Sequence, residues 1–359
     1  MTSPTRWPLA DGRELLFFDL PGHAAAPVPD RRPLPPRDPQ PSQLRYDHTT
    51  GQWVIVAAQR QNRTHLPPAD RCPLCPGPSG RTSEIPAAGY DVVVFENRFP
   101  SLAGVGPAPT PPTGPGFGDA PGHGRCEVIC FSDDHAGSFA GLPPAQALLV
   151  FQAWRHRTAE LTAAPGIEQV FCFENRGREI GVTLTHPHGQ IYGYPYLTPR
   201  TATMLGQAEQ HRIRHGGNLF ADLLARELDD GRRVVARTET CTAFVPFAAR
   251  WPVEVHLYPN RKAANLTELT DTELHDLAAT YQNVLRRFDR IYDAPLPYIA
   301  ALHQYRDTEA QRDGYLHVEF MSIRRSATKL KYLAGSESAM DAFIMDVTPE
   351  SVAAKLREL

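Results

Sequence analysis

The 359-residue chain is long enough for about two ordinary domains, or for one large domain with an internal duplication. Its 42% hydrophobic content is typical of a globular protein, but 35 prolines, about twice the usual share, predict some extended or irregular stretches. A formal net charge of -3 disfavours general nucleic-acid binding, and no stretch has the ~20 apolar residues that cross a membrane. A secretory signal pattern is also absent, so we expect a cytoplasmic protein with reduced thiols.

Proline is concentrated in two segments, residues 1–43 and 100–124. We interpret the first as an extended N-terminal arm and the second as a long mobile loop. Apolar periodicity then predicts the regular elements in chain order, namely strands at 53–57, 92–96 and 127–131, a helix at 143–162, and strands at 169–174 and 189–194.

The second half of the chain repeats this order. It contains a strand at 254–258, a helix at 271–291, strands at 297–301 and 316–321, and a terminal helix that begins after Thr348. Matched positions keep a nearly constant offset, 127 residues from Glu127 to Glu254 and 131 residues from His186 to His317. We therefore predict an α+β fold of two tandem units. The first unit would span residues 44–200 and the second residues 201–359.

The segment THPHGQIY at 185–192 carries the strongest chemical signal. Alternate side chains of an extended segment share a face, so His186, His188 and Gln190 should lie together. An unprotonated imidazole is a nucleophile near neutral pH, and the Gln190 amide can donate to an anionic oxygen. The pattern favours attack on phosphorus. A polar strand edge with two incidental histidines is the weaker interpretation, since such edges more often carry Thr, Lys or Glu.

Cys72 and Cys75 form a CxxC pair, which is half of a tetrahedral zinc site, and the chain has no second such pair. The missing ligands must then be histidines, for which His135 and His186 are the candidates. Two unrelated thiols or a redox pair are the alternative. The remaining cysteines lie in apolar strand patterns, and we expect them in the core: Cys126, Cys130, Cys172 and Cys241.

Two arginines and two asparagines are weaker candidates. Arg60 and Arg63 can form a phosphate clamp because guanidinium groups match phosphate oxygens, although solvation at the surface explains them better when they are considered alone. Asn97 and Asn175 both end a Phe-Glu-Asn tripeptide. Amides at strand ends are as often turn formers as ligand-binding groups.

Taken together, these segments resemble the galactose-1-phosphate uridylyltransferase family. The matching motifs follow the family order: CPLC at 72–75, ICFSDDH at 129–135, FENRG at 173–177, THPHGQIY at 185–192, VPFAARWP at 245–252 and RSAT at 325–328. The resemblance runs from about residue 45 to residue 337. It implies a homodimer and two tandem histidine-triad-like units, each an antiparallel sheet with packing helices. It also implies a ping-pong reaction through a uridylyl-histidine, in which UDP-glucose and galactose 1-phosphate give UDP-galactose and glucose 1-phosphate.

The resemblance also implies roles for individual residues. It makes His188 the nucleophile and Gln190 the stabiliser of the phosphoryl oxygens. Its structural zinc ligands fall on Cys72, Cys75, His135 and His186. Its substrate contacts fall on Arg60, Arg63, Phe95, Asn97, Asn175, Thr183 and Gln190, and, supplied by the partner subunit, on Lys331 and Glu337.

Four positions bear on a second metal site that some family members have. His303 and His317 match two of its histidine ligands. Met204 stands where that site has a Glu, and Glu319 replaces a third His. These two departures argue against a second metal in this chain.

Ser336 and Phe343 replace a Tyr and a Gln that hold the sugar in the family. The sequence therefore leaves open which hexose and nucleotide are preferred, and whether the acceptor is a sugar phosphate. An alternative enzyme is a phosphorylase of the same fold that cleaves an ADP-sugar with inorganic phosphate. A non-catalytic, zinc-stabilised nucleotide-binding protein is the alternative of another class, but such a protein needs no nucleophile like His188.

Overall fold

A computed structural model describes residues 3–34, 42–62, 65–77, 83–114, 116–292 and 294–359. Across these ranges the chain mixes strands and helices in two compact units. Unit 1 consists of Met1–Gly137, Leu149–Cys172 and Thr183–Met204, and unit 2 of Ser138–Leu148, Phe173–Val182 and Leu205–Leu359. The predicted α+β class is confirmed. The chain alternates between the two units from residue 138 to residue 204, whereas the predicted units were two continuous halves.

The described residues of the first half of the chain form nine strands and one long helix. Their bounds are β1 Thr5–Pro8, β2 Glu14–Phe18, β3 Ser42–Asp47, β4 Gln52–Val56, β5 Val92–Glu96, β6 Asp119–Gly122, β7 Arg125–Cys130, α1 Pro144–Ala163, β8 Gln169–Arg176 and β9 His188–Tyr194. In unit 1 the strands β1, β2, β5, β7 and β9 form an antiparallel sheet in that order. A second, three-stranded sheet has the order β4, β3, β6.

The second half supplies five strands and five helices within the described residues. Their bounds are α2 Pro199–His215, α3 Leu219–Asp230, β10 Val234–Arg237, β11 Cys241–Phe244, β12 Val253–Pro259, α4 Asp271–Arg290, β13 Tyr298–His303, β14 His317–Ser322, α5 Gly335–Met340 and α6 Pro349–Arg357. The unit 2 sheet is antiparallel and runs β13, β14, β12, β11, β10. Among all helices described, none combines the length and apolar character that a membrane crossing requires.

Local sequence explains where α4 begins. The Thr270 hydroxyl accepts a hydrogen bond from the backbone N–H of Glu273, and the Glu273 carboxylate accepts one from the backbone N–H of Thr270. This capping box satisfies two amides that the first helical turn leaves without partners. The helix then buries one face, which includes Leu277, Tyr281 and Phe288, in unit 2.

The interpretation of residues 1–43 as an extended arm needs correction. β1 and β2 belong to the unit 1 sheet, and β2 pairs with β5. All four apolar residues of Leu15–Phe18 are at most 4% exposed, as expected for a strand covered on both faces. Arg13, 2% exposed, pairs with Asp11 and Glu84 and so anchors the chain just before β2. Residues 1–2 and 35–41 of the predicted arm lie outside the described residues.

The central strands of unit 1 position the histidine motif. In β9, His188 lies opposite Cys130 of β7, and Gln190 lies opposite Val128. Because side chains alternate along a strand, His188, Gln190 and Tyr192 share one face of β9. The buried strand β7, which also pairs with the buried strand β5, therefore holds His188 and Gln190 in an extended conformation.

Candidate active site and metal centre

His188 is held in one tautomer by its own strand. Its Nδ1 lies 2.8 Å from the carbonyl oxygen of His186, and only an N–H group can bond to a carbonyl oxygen. The proton is therefore on Nδ1, and the Nε2 lone pair is available. Burial lowers the pKa of His188 below its ordinary value, which keeps the imidazole neutral at neutral pH. The side chain has the protonation state that a nucleophile requires.

Gln190 follows two residues later on the same face. Its side-chain Oε1 accepts a hydrogen bond of 3.1 Å from the hydroxyl of Tyr192. The carboxamide oxygen is therefore engaged within the protein, which leaves the amide N–H groups to donate. The sequence motif contains Tyr192 but gave no reason to assign it a role.

The four predicted zinc ligands come together in unit 1. One donor atom each from Cys72, Cys75, His135 and His186 lies within 4.8 Å of all the others. Cys75 Sγ is 3.3 Å from His135 Nδ1 and 3.6 Å from His186 Nδ1. Tetrahedral zinc with its usual bond lengths would separate sulfur and nitrogen ligands by about 3.6 Å. The donor set and its spacing fit a structural zinc ion.

The Nε2 atoms of His186 and His135, on the far side of each ring from the Nδ1 atoms that approach Cys75, also have hydrogen-bond partners. His186 Nε2 lies 2.7 Å from the Ser132 carbonyl oxygen and 2.9 Å from the Tyr90 hydroxyl, and His135 Nε2 lies 3.1 Å from the Thr185 hydroxyl. The Ser132 carbonyl places the proton of His186 on Nε2, so its Nδ1 lone pair faces the cysteines. Tyr90 in turn donates to the Leu74 carbonyl between the two cysteines. These contacts tie the CxxC loop to the strand of His188.

A second cluster of possible metal ligands lies in unit 2. His303, His317 and Glu319 each offer a donor atom within 4.8 Å of the others. All three are buried, and Glu319 Oε2 is 3.3 Å from His303 Nε2. Burial by itself would raise the pKa of Glu319. The neighbouring His303 and His256 lower it by more, so the pKa lies well below its ordinary value. In the sequence, the presence of Glu319 in place of a third histidine argued against a metal. In the structure, its carboxylate joins the two histidines in a group of donors that can hold a divalent cation.

The same cluster revises the match between the two halves. His317 opens β14 and its Nδ1 lies 2.8 Å from the Tyr315 carbonyl oxygen, as His188 opens β9 and bonds to His186. His317 therefore corresponds to His188 and not to His186, and Glu319 takes the place of Gln190. The two alignments differ by two residues. Because side chains alternate along a strand, a shift of two residues keeps every side chain on the same face, so the sequence pattern alone does not distinguish the two alignments.

The candidate phosphate ligands lie in different settings. Arg60 is half-buried and donates from Nη1 to the Phe99 carbonyl oxygen at 2.8 Å. It lines an open cavity of about 830 Å³ together with Ser101 and His65, whereas His188 is not among the lining residues. Asn97 Oδ1 accepts from the Phe99 backbone N–H at 2.9 Å and so shapes the turn after β5. Arg63 lies outside the described residues.

The other predicted substrate contacts differ in exposure. Phe95 is 2% exposed and packs in the core of unit 1, so its ring offers almost no surface, and contact with a nucleoside stays a prediction. The Thr183 carbonyl oxygen accepts a hydrogen bond from the Leu66 backbone at 2.7 Å. In unit 2, Asn175 Oδ1 is buried without a hydrogen-bond partner among the described residues. A contact with phosphate oxygens would use the Asn175 Nδ2 donor instead, and it stays a prediction.

Lys331 and Glu337 contact each other within this chain. Lys331 is 4% exposed, and its Nζ donates to the carbonyl oxygens of Arg250 and Ile344 at 3.1 and 2.5 Å. Glu337 Oε1 lies 3.5 Å from that Nζ. A role in substrate binding would require Lys331 to exchange these partners, so its assignment to a sugar phosphate stays a prediction.

Comparison with known families accounts for nearly the whole chain. The N-terminal domain model of galactose-1-phosphate uridyl transferase matches residues 34–198, and the C-terminal domain model matches residues 204–359. The chain belongs to the galactose-1-phosphate uridylyltransferase family. It is therefore an enzyme of the transferase class, as the histidine and cysteine motifs predicted.

Curated members of this family align over most of their length. The galactose-1-phosphate uridylyltransferase of Streptomyces lividans is 45% identical, with 98% of this chain and 96% of that protein aligned. The Thermotoga maritima enzyme of the same name is 36% identical over 88% of this chain and 98% of its own length. The Rattus norvegicus enzyme of the same name is 32% identical, with 88% of this chain and 87% of that protein aligned.

Solved structures agree with the fold. A uridylyltransferase structure superposes with a TM-score of 0.78 at 33% identity, covering 88% of this chain and 98% of that one. An ADP-glucose phosphorylase from Arabidopsis thaliana superposes with a TM-score of 0.65 at 20% identity, covering 89% and 99%. The second likeness shows that the fold is shared, and it leaves the choice of substrate open.

Proposed function

We propose that this protein transfers a uridylyl group from UDP-glucose to galactose 1-phosphate through a covalent intermediate on His188. The bond from His188 Nδ1 to the His186 carbonyl carries this proposal, because it directs the Nε2 lone pair away from the backbone. Gln190, two residues further along the same face, supplies the amide donors. No further base is needed to activate a neutral imidazole.

In the first half-reaction His188 Nε2 attacks the α-phosphorus of UDP-glucose. An N–P bond forms while the bond from phosphorus to the bridging oxygen breaks, and glucose 1-phosphate departs with that electron pair. A phosphate is a good leaving group without protonation, so Gln190 can stand where an acidic group would otherwise be required. Its amide donates to the non-bridging oxygens as their charge grows.

The second half-reaction reverses these events with a different sugar phosphate. A phosphate oxygen of galactose 1-phosphate attacks the uridylyl phosphorus, the N–P bond breaks, and His188 regains its lone pair as UDP-galactose forms. Arg60 and Arg63 would neutralise phosphate charge, Asn175 and Thr183 would contact phosphate oxygens, and Phe95 and Asn97 would hold the nucleoside. These roles follow from the family resemblance.

We propose a structural role for zinc at the Cys72, Cys75, His135 and His186 group. Four protein ligands complete a tetrahedral site and leave no position for substrate. His186 joins the two centres, because its ring faces the cysteines while its carbonyl oxygen bonds to His188. Metal binding would thereby fix the backbone that sets the tautomer of the nucleophile.

We also propose a cytoplasmic homodimer in which Lys331 and Glu337 act on the neighbouring site. Tyr332, Met340 and Ile344, which lie close to them in sequence, are 73%, 76% and 58% exposed. Such apolar exposure supports burial against a second copy. Sedimentation equilibrium should give about twice the chain mass of 39.8 kDa. A fully active monomer would contradict the shared site.

The main competing reaction is the phosphorolysis of an ADP-sugar. Ser336 and Phe343 support it, because they replace two sugar-holding residues of the family. The Ser336 hydroxyl donates to the Ala342 carbonyl oxygen, and the Phe343 and Trp251 ring centroids are 5.9 Å apart. Both side chains therefore contact this chain itself, and inorganic phosphate is an acceptor that needs no contacts with a sugar. A four-way assay decides between the reactions, with UDP-glucose or ADP-glucose as donor and galactose 1-phosphate or inorganic phosphate as acceptor. We expect the highest kcat/KM with UDP-glucose and galactose 1-phosphate. Preference for ADP-glucose with phosphate would establish the phosphorylase instead.

A further inference from the structure

We propose that Tyr192 is a positioning residue that fixes the orientation of the Gln190 carboxamide, so that its NH₂ group and not its oxygen faces the phosphoryl group. This inference rests on the proposed function of the same site. It assigns a role to a side chain that contacts no reacting atom. Its effect on the reaction would pass through Gln190.

A carboxamide has two orientations that occupy nearly the same space, and only one of them can donate toward an anion. An unrestrained glutamine would present its oxygen to the phosphate in part of the population, which is repulsive. Tyr192 removes that alternative, because its hydroxyl donates to Gln190 Oε1 at 3.1 Å. If the amide flipped, two donors would face each other unless the hydroxyl also turned.

The surroundings of the hydroxyl favour donation toward Gln190. Tyr192 is 8% exposed, and burial raises the pKa of its phenol, so the hydroxyl keeps its proton. The nearby Arg60 guanidinium opposes that rise, because its positive charge favours the phenolate. The protonated phenol donates to Gln190 Oε1, which lies 3.1 Å from the phenol oxygen.

The phenol ring itself is held in place by its neighbours. The Tyr194 ring packs against it, with the two ring centroids 5.8 Å apart. Tyr194 is two residues further along the same face, and its pKa is also raised, first by burial. It therefore offers a control, a second tyrosine on the same face of β9 that is partly buried and lies two residues further from His188 than Tyr192 does.

The kinetic test replaces one hydroxyl. Tyr192→Phe should lower kcat for uridylyl transfer roughly 10- to 100-fold while KM for UDP-glucose changes by less than about threefold. Tyr194→Phe should change neither. In a Gln190→Ala background, Tyr192→Phe should have no further effect, because its role passes through the amide that has been removed. Independent, multiplying effects of the two substitutions would overturn the inference.

A second readout needs no substrate. With glutamine labelled by ¹⁵N in its side chain, the Gln190 NH₂ signals are those absent from Gln190→Ala. They should shift in Tyr192→Phe and stay in place in Tyr194→Phe. If the wild type transfers no uridylyl group and the signals still shift, the proposed function fails and the positioning holds. If the wild type is active and the signals do not shift, Tyr192 does not position Gln190.

Discussion

Replacing His188 by Gly should abolish transfer from UDP-glucose to galactose 1-phosphate, with a loss in kcat on the order of 10⁴-fold or more. The substitution removes the atom that forms the covalent bond to phosphorus, and Gln190 cannot replace it because an amide nitrogen has no available lone pair. The rate of glucose 1-phosphate release, followed with a coupled assay, is the measurement. Added imidazole should restore part of this rate by occupying the space of the missing ring.

The control for this variant is a histidine outside the site. His23 lies in unit 1, its side chain is 62% exposed, and it pairs with Asp91 at the surface. His23→Gly should therefore keep the wild-type rate. Both variants should keep the wild-type zinc content and far-UV circular dichroism. If a correctly folded His188→Gly protein kept more than a tenth of the wild-type rate, the nucleophile would have to be another residue.

Replacing Cys72 by Ser should remove one equivalent of zinc per chain and lower the unfolding temperature by roughly 10 °C or more. The structural reason is that Cys72 and Cys75 are buried, at 6% and 8% exposure, in a loop that meets His135 and His186 at the proposed metal site. Elemental analysis of protein purified without added metal gives the stoichiometry, and scanning calorimetry gives the unfolding temperature.

Cys241→Ser is the matched control for the zinc prediction. Cys241 is also a buried thiol, but it lies in unit 2, 3.1 Å from the Thr280 hydroxyl, and serine can keep that polar contact. This variant should keep its zinc. A stable, active Cys72→Ser protein with unchanged zinc content would show that the CxxC pair is not a metal site.

Local sequence signals predicted several elements of the fold and of the proposed site. The capping box located the start of α4, the apolar run at 92–96 gave β5 with its observed bounds, and the CxxC spacing led to a cluster whose donor atoms meet. These signals succeed because each depends on neighbours in sequence. Alternation along a strand likewise placed His188 and Gln190 on one face.

The features that sequence missed depend on residues distant in the chain. β2 was hidden in proline-rich sequence, and its partner β5 lies more than seventy residues further on. The bond from Tyr192 to Gln190 depends on side-chain directions that periodicity does not give. In unit 2, Glu319 replaces an expected ligand and yet lies among the donors, which only the paired strands β13 and β14 reveal.

Trapping the covalent intermediate tests the role of His188 most directly. The protein is incubated with UDP-glucose labelled in its α-phosphate, without acceptor, and then digested and mapped. We predict acid-labile label on a single peptide that contains residues 186–190, release of that label by galactose 1-phosphate, and parallel lines in initial-rate plots. Unlabelled protein together with intersecting lines would mean that both substrates react in one complex, and that His188 does not carry the uridylyl group.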